Sequence, residues 1–206
     1  MPQFTGILLS GGYSRRMGRD KALLELGGKP ILARLAEELS KVAGNTLIAC
    51  GEQEREEYRY LQLPQVTDLY PGCGPLAGLH AALSCSSTEW NVVAACDLPF
   101  ASAKFMRVMM ESIQTEQIDA VVPVSVSGRA QPLLGLFHKR ALPVLEEALS
   151  QQRLKVMECL DNLKVLYIQE EDYTFRPSPL YNMNTPEDYA AALELALLPA
   201  DDSSAQ

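Results

Sequence analysis

The sequence predicts an α/β fold in which a doubly wound, mostly parallel sheet carries helices on both faces. Short apolar, β-branched-leaning runs alternate along the chain with runs whose apolar residues recur every three to four positions. That alternation is the pattern of strands joined by crossover helices. There is no internal repeat and no long linker, so it is assigned to one domain over residues 1–198. The 206-residue chain (22.7 kDa) is 47% apolar and 21% charged, an ordinary globular mix, long enough to bury a core without disulfides or metal.

Residues 4–9 (FTGILL) read as a buried strand, followed by a Gly- and Arg-rich loop through about Lys21. Pro30 opens a helix with Ile31, Leu32, Leu35 and Leu39 on one face and Glu37, Glu38 and Lys41 on the other. Residues 45–50 form a second strand, 52–60 a short charged helix and 65–67 a brief third strand. The Gly/Pro cluster at 71–75 is a loop that leads into a helix over 76–83. Residues 91–96 (NVVAAC) are the clearest internal strand, ending on Asp97. A helix over 102–115, strands over 119–126 and 133–137, a helix over 139–150 and a late strand over 164–168 follow. Thr185-Pro186-Glu187-Asp188 supplies an N-cap, proline at the first helical position and two acids in the first turn of a terminal helix through Leu198. Residues 199–206 (PADDSSAQ) are expected to fray.

Eighteen Lys and Arg against 26 Asp and Glu give a formal charge of −8, which repels nucleic acid and anionic membranes. Neither is an expected partner. The five cysteines are odd in number and lack a C-x-x-C pair, so no disulfide framework or zinc site is expected, and a reducing cytoplasm fits best. The amino terminus does not resemble a signal peptide, and no apolar run approaches the roughly 20 residues of a membrane helix.

Ligands of doubly wound sheets sit beyond the carboxyl ends of the strands, which places the loops after Leu9 and after Cys96 on one edge. The loop at residues 9–21 (LSGGYSRRMGRDK) gathers four basic residues into seven positions of an acidic chain. Paired glycines let backbone N–H groups approach a ligand, and Arg and Lys neutralise phosphate charge, so this exposed loop is built for a polyphosphate. It is neither a Walker A loop nor a G-x-G-x-x-G dinucleotide fingerprint, because Gly11-Gly12 is followed by no glycine until Gly18, and Arg19 comes next. Asp97 suits a hard cation such as Mg²⁺ that also holds phosphate oxygens, or equally a cap for the helix near Ser102 or a stabiliser of the Leu98-Pro99 turn, and the nearby basic loop favours the metal. Asp68 is a turn residue or a ligand acceptor. Asn182 and Asn184 lie on the same side of an extended segment, where one could cap the terminal helix and the other face a ligand. The two histidines, His80 and His138, offer no nucleophilic triad, and His80 reads as packed. Trp90 and Met106, Met109 and Met110 read as strand flank and helix core.

Residues 9–21 resemble the signature of nucleotidyltransferases of the molybdenum cofactor guanylyltransferase type. Gly74-Pro75-Leu76-Ala77-Gly78, Cys96-Asp97-Leu98-Pro99 and residues 182–188 (NMNTPED) fit that family in order, so the resemblance spans nearly the whole chain. It implies a Rossmann-like fold and transfer of GMP from GTP to the terminal phosphate of molybdopterin, releasing pyrophosphate. By this similarity Leu9, Ser10, Gly11 and Gly12 lie against the nucleotide with Asp68, while Lys21 and Arg15 lie on its phosphates. Asp97 holds Mg²⁺, and Asn182, Asn184 and Lys155 face the pterin. Transient contacts with proteins that deliver the pterin or accept the product are also implied. Many members carry Asn near the end of the second strand, where this chain has Ala49-Cys50-Gly51. The Gly11-Gly12 pair favours the guanylyl branch over its cytidylyl relatives. A cytidylyl or sugar-phosphate nucleotidyltransferase and a non-catalytic nucleotide-binding module are the rival readings.

Overall fold

The structure is a computed structural model that describes residues 3–11, 20–114, 117–170, 173 and 175–197. In chain order its elements are β1 (Phe4–Leu9), β2 (Glu25–Leu26), β3 (Lys29–Pro30), α1 (Ile31–Ser40), β4 (Asn45–Gly51), β5 (Gln65–Thr67), α2 (Pro75–Cys85) and β6 (Trp90–Ala95). There follow α3 (Ala103–Glu111), β7 (Ala120–Val124), β8 (Leu134–His138), α4 (Leu142–Ser150), α5 (Val156–Leu160), β9 (Val165–Gln169) and α6 (Pro186–Leu195).

Seven strands form one sheet in the order β5-β4-β1-β6-β8-β7-β9. Every neighbouring pair is parallel except those made by β8, which runs antiparallel to both β6 and β7. This is the expected mostly parallel, doubly wound sheet. β1 lies between β4 and β6, with Leu9 paired to Ala49 on one side and Ala95 on the other, and the side chains of both β1 and β6 are buried throughout. Such continuous apolar runs mark strands covered on both faces. On one face Leu32, Leu35 and Leu39 of α1, Phe105, Met106 and Met109 of α3, and Ala192 of α6 pack together. On the other, Leu76 and Leu79 of α2, Leu145 and Leu149 of α4, and Val156 and Cys159 of α5 do so.

Several elements are shorter than their sequence patterns suggested. Residues 52–60 form a 3-10 turn at Glu56–Leu61, and the helix expected over 139–150 opens with a 3-10 turn at Lys139–Ala141 before α4. The strand expected over 119–126 is confined to Ala120–Val124, and α3 ends at Glu111 because Ser112 caps it. Thr115, Leu198 and the 199–206 tail lie outside the described residues. Pro30 closes a two-stranded hairpin, β2 with β3, and stands as the N-cap of α1. That hairpin and α5 had no sequence expectation, since two-residue strands and a five-residue helix carry too little periodicity.

The terminal helix starts as its sequence signals predict. The Thr185 hydroxyl accepts from Asp188 N, and the Asp188 carboxylate accepts from Thr185 N, completing a capping box with Pro186 in the first turn.

Candidate active site

The carboxyl ends of β1, β5 and β6 put Leu9, Ser10, Gly11, Asp68 and Asp97 at one edge of the sheet. Leu9 ends β1 and is buried. Ser10 donates twice to the carbonyl of Ala49 on β4, from its backbone N at 3.0 Å and its hydroxyl at 3.2 Å. Gly11 follows where the two strands converge. A Cβ there would stand 2.9 Å from both the Cα and the N of Gly51, closer than backbone tolerates, so only glycine fits. Gly12 and Arg15 lie outside the described residues.

Asp68 follows β5, and its backbone N donates to Gly51 O at 2.8 Å. Its Oδ1 is buried and accepts no hydrogen bond among the described residues. Burial, with Glu52 adding to it, pushes the carboxyl up from 3.8 to about 6. The Gly74–Gly78 segment explains itself beside this group. Gly74 caps α2 at a positive φ of 67°, Pro75 begins the helix, and Gly78 presents its bare backbone to Leu9, Ala49 and the Asp68 carboxylate. His80, one turn on, is buried edge-on against Tyr70, as its apolar setting predicted.

Asp97 follows β6. The cap reading does not hold, because Ser102 itself caps α3 by accepting from Phe105 N at 3.3 Å. Asp97 Oδ1 is instead buried and unpartnered among the described residues. Burial raises its pKa, and the positive charge of Lys21, then of Arg129, opposes that rise. An unsatisfied buried carboxylate oxygen is costly unless a cation or donor completes it.

Lys21 is not on an exposed loop. It is the half-buried first residue of a 3-10 turn at Lys21–Leu23, capped by Asp20, whose Oδ1 accepts from Ala22 N at 3.0 Å. Its Nζ donates to Met183 O at 2.6 Å and to Asn184 Oδ1 at 2.9 Å. Asn184 Nδ2 in turn donates to Asn182 Oδ1 at 2.6 Å, so the two asparagines do share a side. Neither caps α6, a role that belongs to Thr185. The Asp188 carboxylate holds this segment by accepting from Asn184 N at 2.8 Å, and Met183 N donates to the Asp97 backbone carbonyl at 2.7 Å.

Lys21, Asp97, Asn182 and Asn184 therefore form one cluster, from chain positions more than 160 residues apart. Lys155 is not joined to it by any described contact. It is exposed at the start of α5 and pairs with Glu158 at 2.9 Å. Sequence reasoning missed Asp20, Tyr58, Arg129 and Asp188, whose parts here arise from long-range packing or from a cap that carries a second load. Among the described residues no group of three or more His, Cys, Asp or Glu converges on a metal, so a cation at Asp97 would draw its other ligands from a substrate and water. The unsatisfied Asp97 Oδ1 fits that arrangement.

Residues 6–163 match the model of the MobA-like NTP transferase domain. A protein of Carboxydothermus hydrogenoformans named "Probable molybdenum cofactor guanylyltransferase" is 36% identical over 198 residues, 95% of this chain and 98% of that one. One of the same name from Pelotomaculum thermopropionicum is 37% identical over 199 residues, 95% of each. The crystal structure of molybdopterin-guanine dinucleotide biosynthesis protein A from Archaeoglobus fulgidus superposes with a TM-score of 0.79 at 28% identity, covering 93% of this chain and 98% of that one. The match over most of the chain, together with the shared fold, establishes that this chain belongs to the MobA-like NTP transferase domain family.

Proposed function

We propose that the protein transfers GMP from GTP to the terminal phosphate of molybdopterin, forming the guanine dinucleotide cofactor and releasing pyrophosphate. The observation that carries this reading is the Lys21–Asp97–Asn184 cluster at the carboxyl edge of β1 and β6, a cation and an unsatisfied carboxylate beside two asparagine amides. The names of the relatives supply the nucleotide and the acceptor.

Transfer at the α-phosphorus needs one P–O bond to form with the acceptor phosphate oxygen while the bond to the bridging oxygen breaks in line. Pyrophosphate carries away the electron pair. The acceptor oxygen is already ionised near neutral pH, so neither a protein nucleophile nor a strong base is required. What the protein must supply is alignment and positive charge. Lys21 provides the charge, and with Arg15 it is assigned to the phosphates. Leu9, Ser10, Gly11 and Gly12 provide a close backbone approach, with Asp68 accepting from the nucleotide. Asn182 and Asn184 are assigned to the pterin together with Lys155. Asp97 is the residue to hold Mg²⁺, which when bound neutralises phosphate charge as it develops.

The unpaired thiols of all five cysteines suit a reducing cytoplasm. Among the described residues no helix is long and apolar enough to cross a membrane.

The test is pyrophosphate release from GTP or CTP with Mg²⁺, with and without molybdopterin. Release that requires GTP, Mg²⁺ and the pterin together is the expected result. Release with CTP would move the protein to the cytidylyl branch, and no release under any condition would overturn the catalytic reading.

A further inference from the structure

We propose that Tyr58 is a positioning residue for Lys21, acting through the Asp20 carboxylate. The inference rests on the reading that Lys21 serves the phosphates of the nucleotide.

Tyr58 is fully buried in the 3-10 turn Glu56–Leu61, and its hydroxyl donates to Asp20 Oδ2 at 2.7 Å. The other oxygen of that carboxylate, Oδ1, caps the turn whose first residue is Lys21. Asp20 therefore has two duties on two oxygens: one shapes the turn, the other anchors it to the core. Arg55 adds charge, its Nη1 standing 3.5 Å from Oδ2. The anchor is itself held firmly. Gln65 on β5 clamps the Arg55 backbone from both sides, accepting from Arg55 N at 2.8 Å and donating to Arg55 O at 2.9 Å.

The direction of the Tyr58 hydrogen bond is also fixed. Burial first, and the charge and hydrogen bond of Asp20 next, push the phenol far above its usual range, so it stays protonated and donates throughout the working pH range. Ser10 offsets a small part of that rise. One buried phenol thus anchors the residue that leads directly into Lys21. A lysine side chain has four rotatable bonds and no geometry of its own. The Met183 carbonyl and the Asn184 amide hold its ammonium only where the backbone turn delivers it, and a misplacement of about 1 Å can cost on the order of a hundredfold in rate. Tyr58 is separated from Asp20 by 38 positions, which is why no local motif announces the pair.

The experiment is a kinetic double-mutant cycle on the full chain with Tyr58→Phe, Lys21→Ala and the pair, read by pyrophosphate release from GTP with saturating molybdopterin. Tyr58→Phe keeps the ring that fills the core and removes only the donor. It should melt cooperatively, lower kcat about tenfold or more, and change KM for GTP much less. In the Lys21→Ala background the same substitution should have almost no further effect on kcat, because its route to the chemistry is already gone. A merely structural role would lower activity by the same factor in both backgrounds, and that result would overturn the proposal. So would a Tyr58→Phe enzyme with wild-type kcat. Lys21→Ala turning over normally would instead refute the phosphate role of Lys21, and this inference with it. Should Tyr58→Phe fail to fold, Asp20→Asn takes its place in the cycle with the same expectations. It retains Oδ1 for the cap and alters only the atom facing Tyr58 and Arg55.

Discussion

Replacing Asp68 by Asn should stabilise the fold while impairing the catalyst, and the gain in stability should depend on pH with a definite sign. In the folded chain the carboxyl is pushed up from 3.8 to about 6. Between those values the unfolded chain has released the proton that the folded chain retains, so raising the pH across this window favours unfolding. The penalty is absent below 3.8 and complete above about 6. A shift of about two units corresponds to about 3 kcal/mol. Solvent reaches part of the group, and screening reduces the expected gain for Asn to about 1–2 kcal/mol at pH 8. For a chain of this size that amounts to about 2–8 °C in melting temperature. The assay is thermal unfolding of both proteins at pH 4 and pH 8, comparing the difference between them at each. The variant should melt higher at pH 8, with the gap nearly closed at pH 4. At the same time KM for GTP should rise about tenfold, through loss of a charged acceptor. An equal gap at both pH values, or a wild type that melts higher at pH 8, would refute the reasoning.

Lys21→Ala should lower kcat by about 10²–10³, measured by pyrophosphate release. Because it also frees Met183 O and Asn184, it should cost about 1–2 kcal/mol of stability, which urea unfolding would show. Asp97→Asn should remove the response of the initial rate to added Mg²⁺, together with most of the activity; an unchanged Mg²⁺ titration would sink the assignment. Gly11→Ala should destabilise by about 1–3 kcal/mol, since its Cβ would press on the Gly51 backbone and the neighbouring strand must give way. Its urea midpoint should fall accordingly, and an unmoved midpoint would show that the strand ends can part at no cost.

The parallel sheet and most strands were legible because their apolar runs are continuous, and β1 and β6 are buried on both faces as such runs require. The terminal helix was legible because its first turn is written in local capping chemistry at Thr185 and Asp188. Two-residue strands at Glu25–Leu26 and Lys29–Pro30 offer no period to detect, and the resulting hairpin stayed hidden. The candidate site divides along the same line. Asp97 and the asparagines were visible as polar residues at strand or helix ends, where the fold class puts ligands. That Lys21 reaches Asn184 depends on pairing across 163 positions, and that Asp20 leans on a buried Tyr58 depends on packing. Neither can be inferred from neighbours in sequence.

Because β8 is inserted between β6 and β7, these two strands are not paired although they are consecutive members of the parallel set. As the chain leaves the ribosome, β7 emerges with no adjacent strand ready for it, and β6 waits with one bare edge until residues 134–138 arrive. The partners of Lys21 come later still, at residues 183 and 184. The growing polypeptide can thus assemble its β5-β4-β1-β6 half early, yet the ammonium meets its carbonyl and amide partners only once residues 183 and 184 have been made. Nascent chains carry the strand edge of the candidate site well before the Lys21 ammonium is seated.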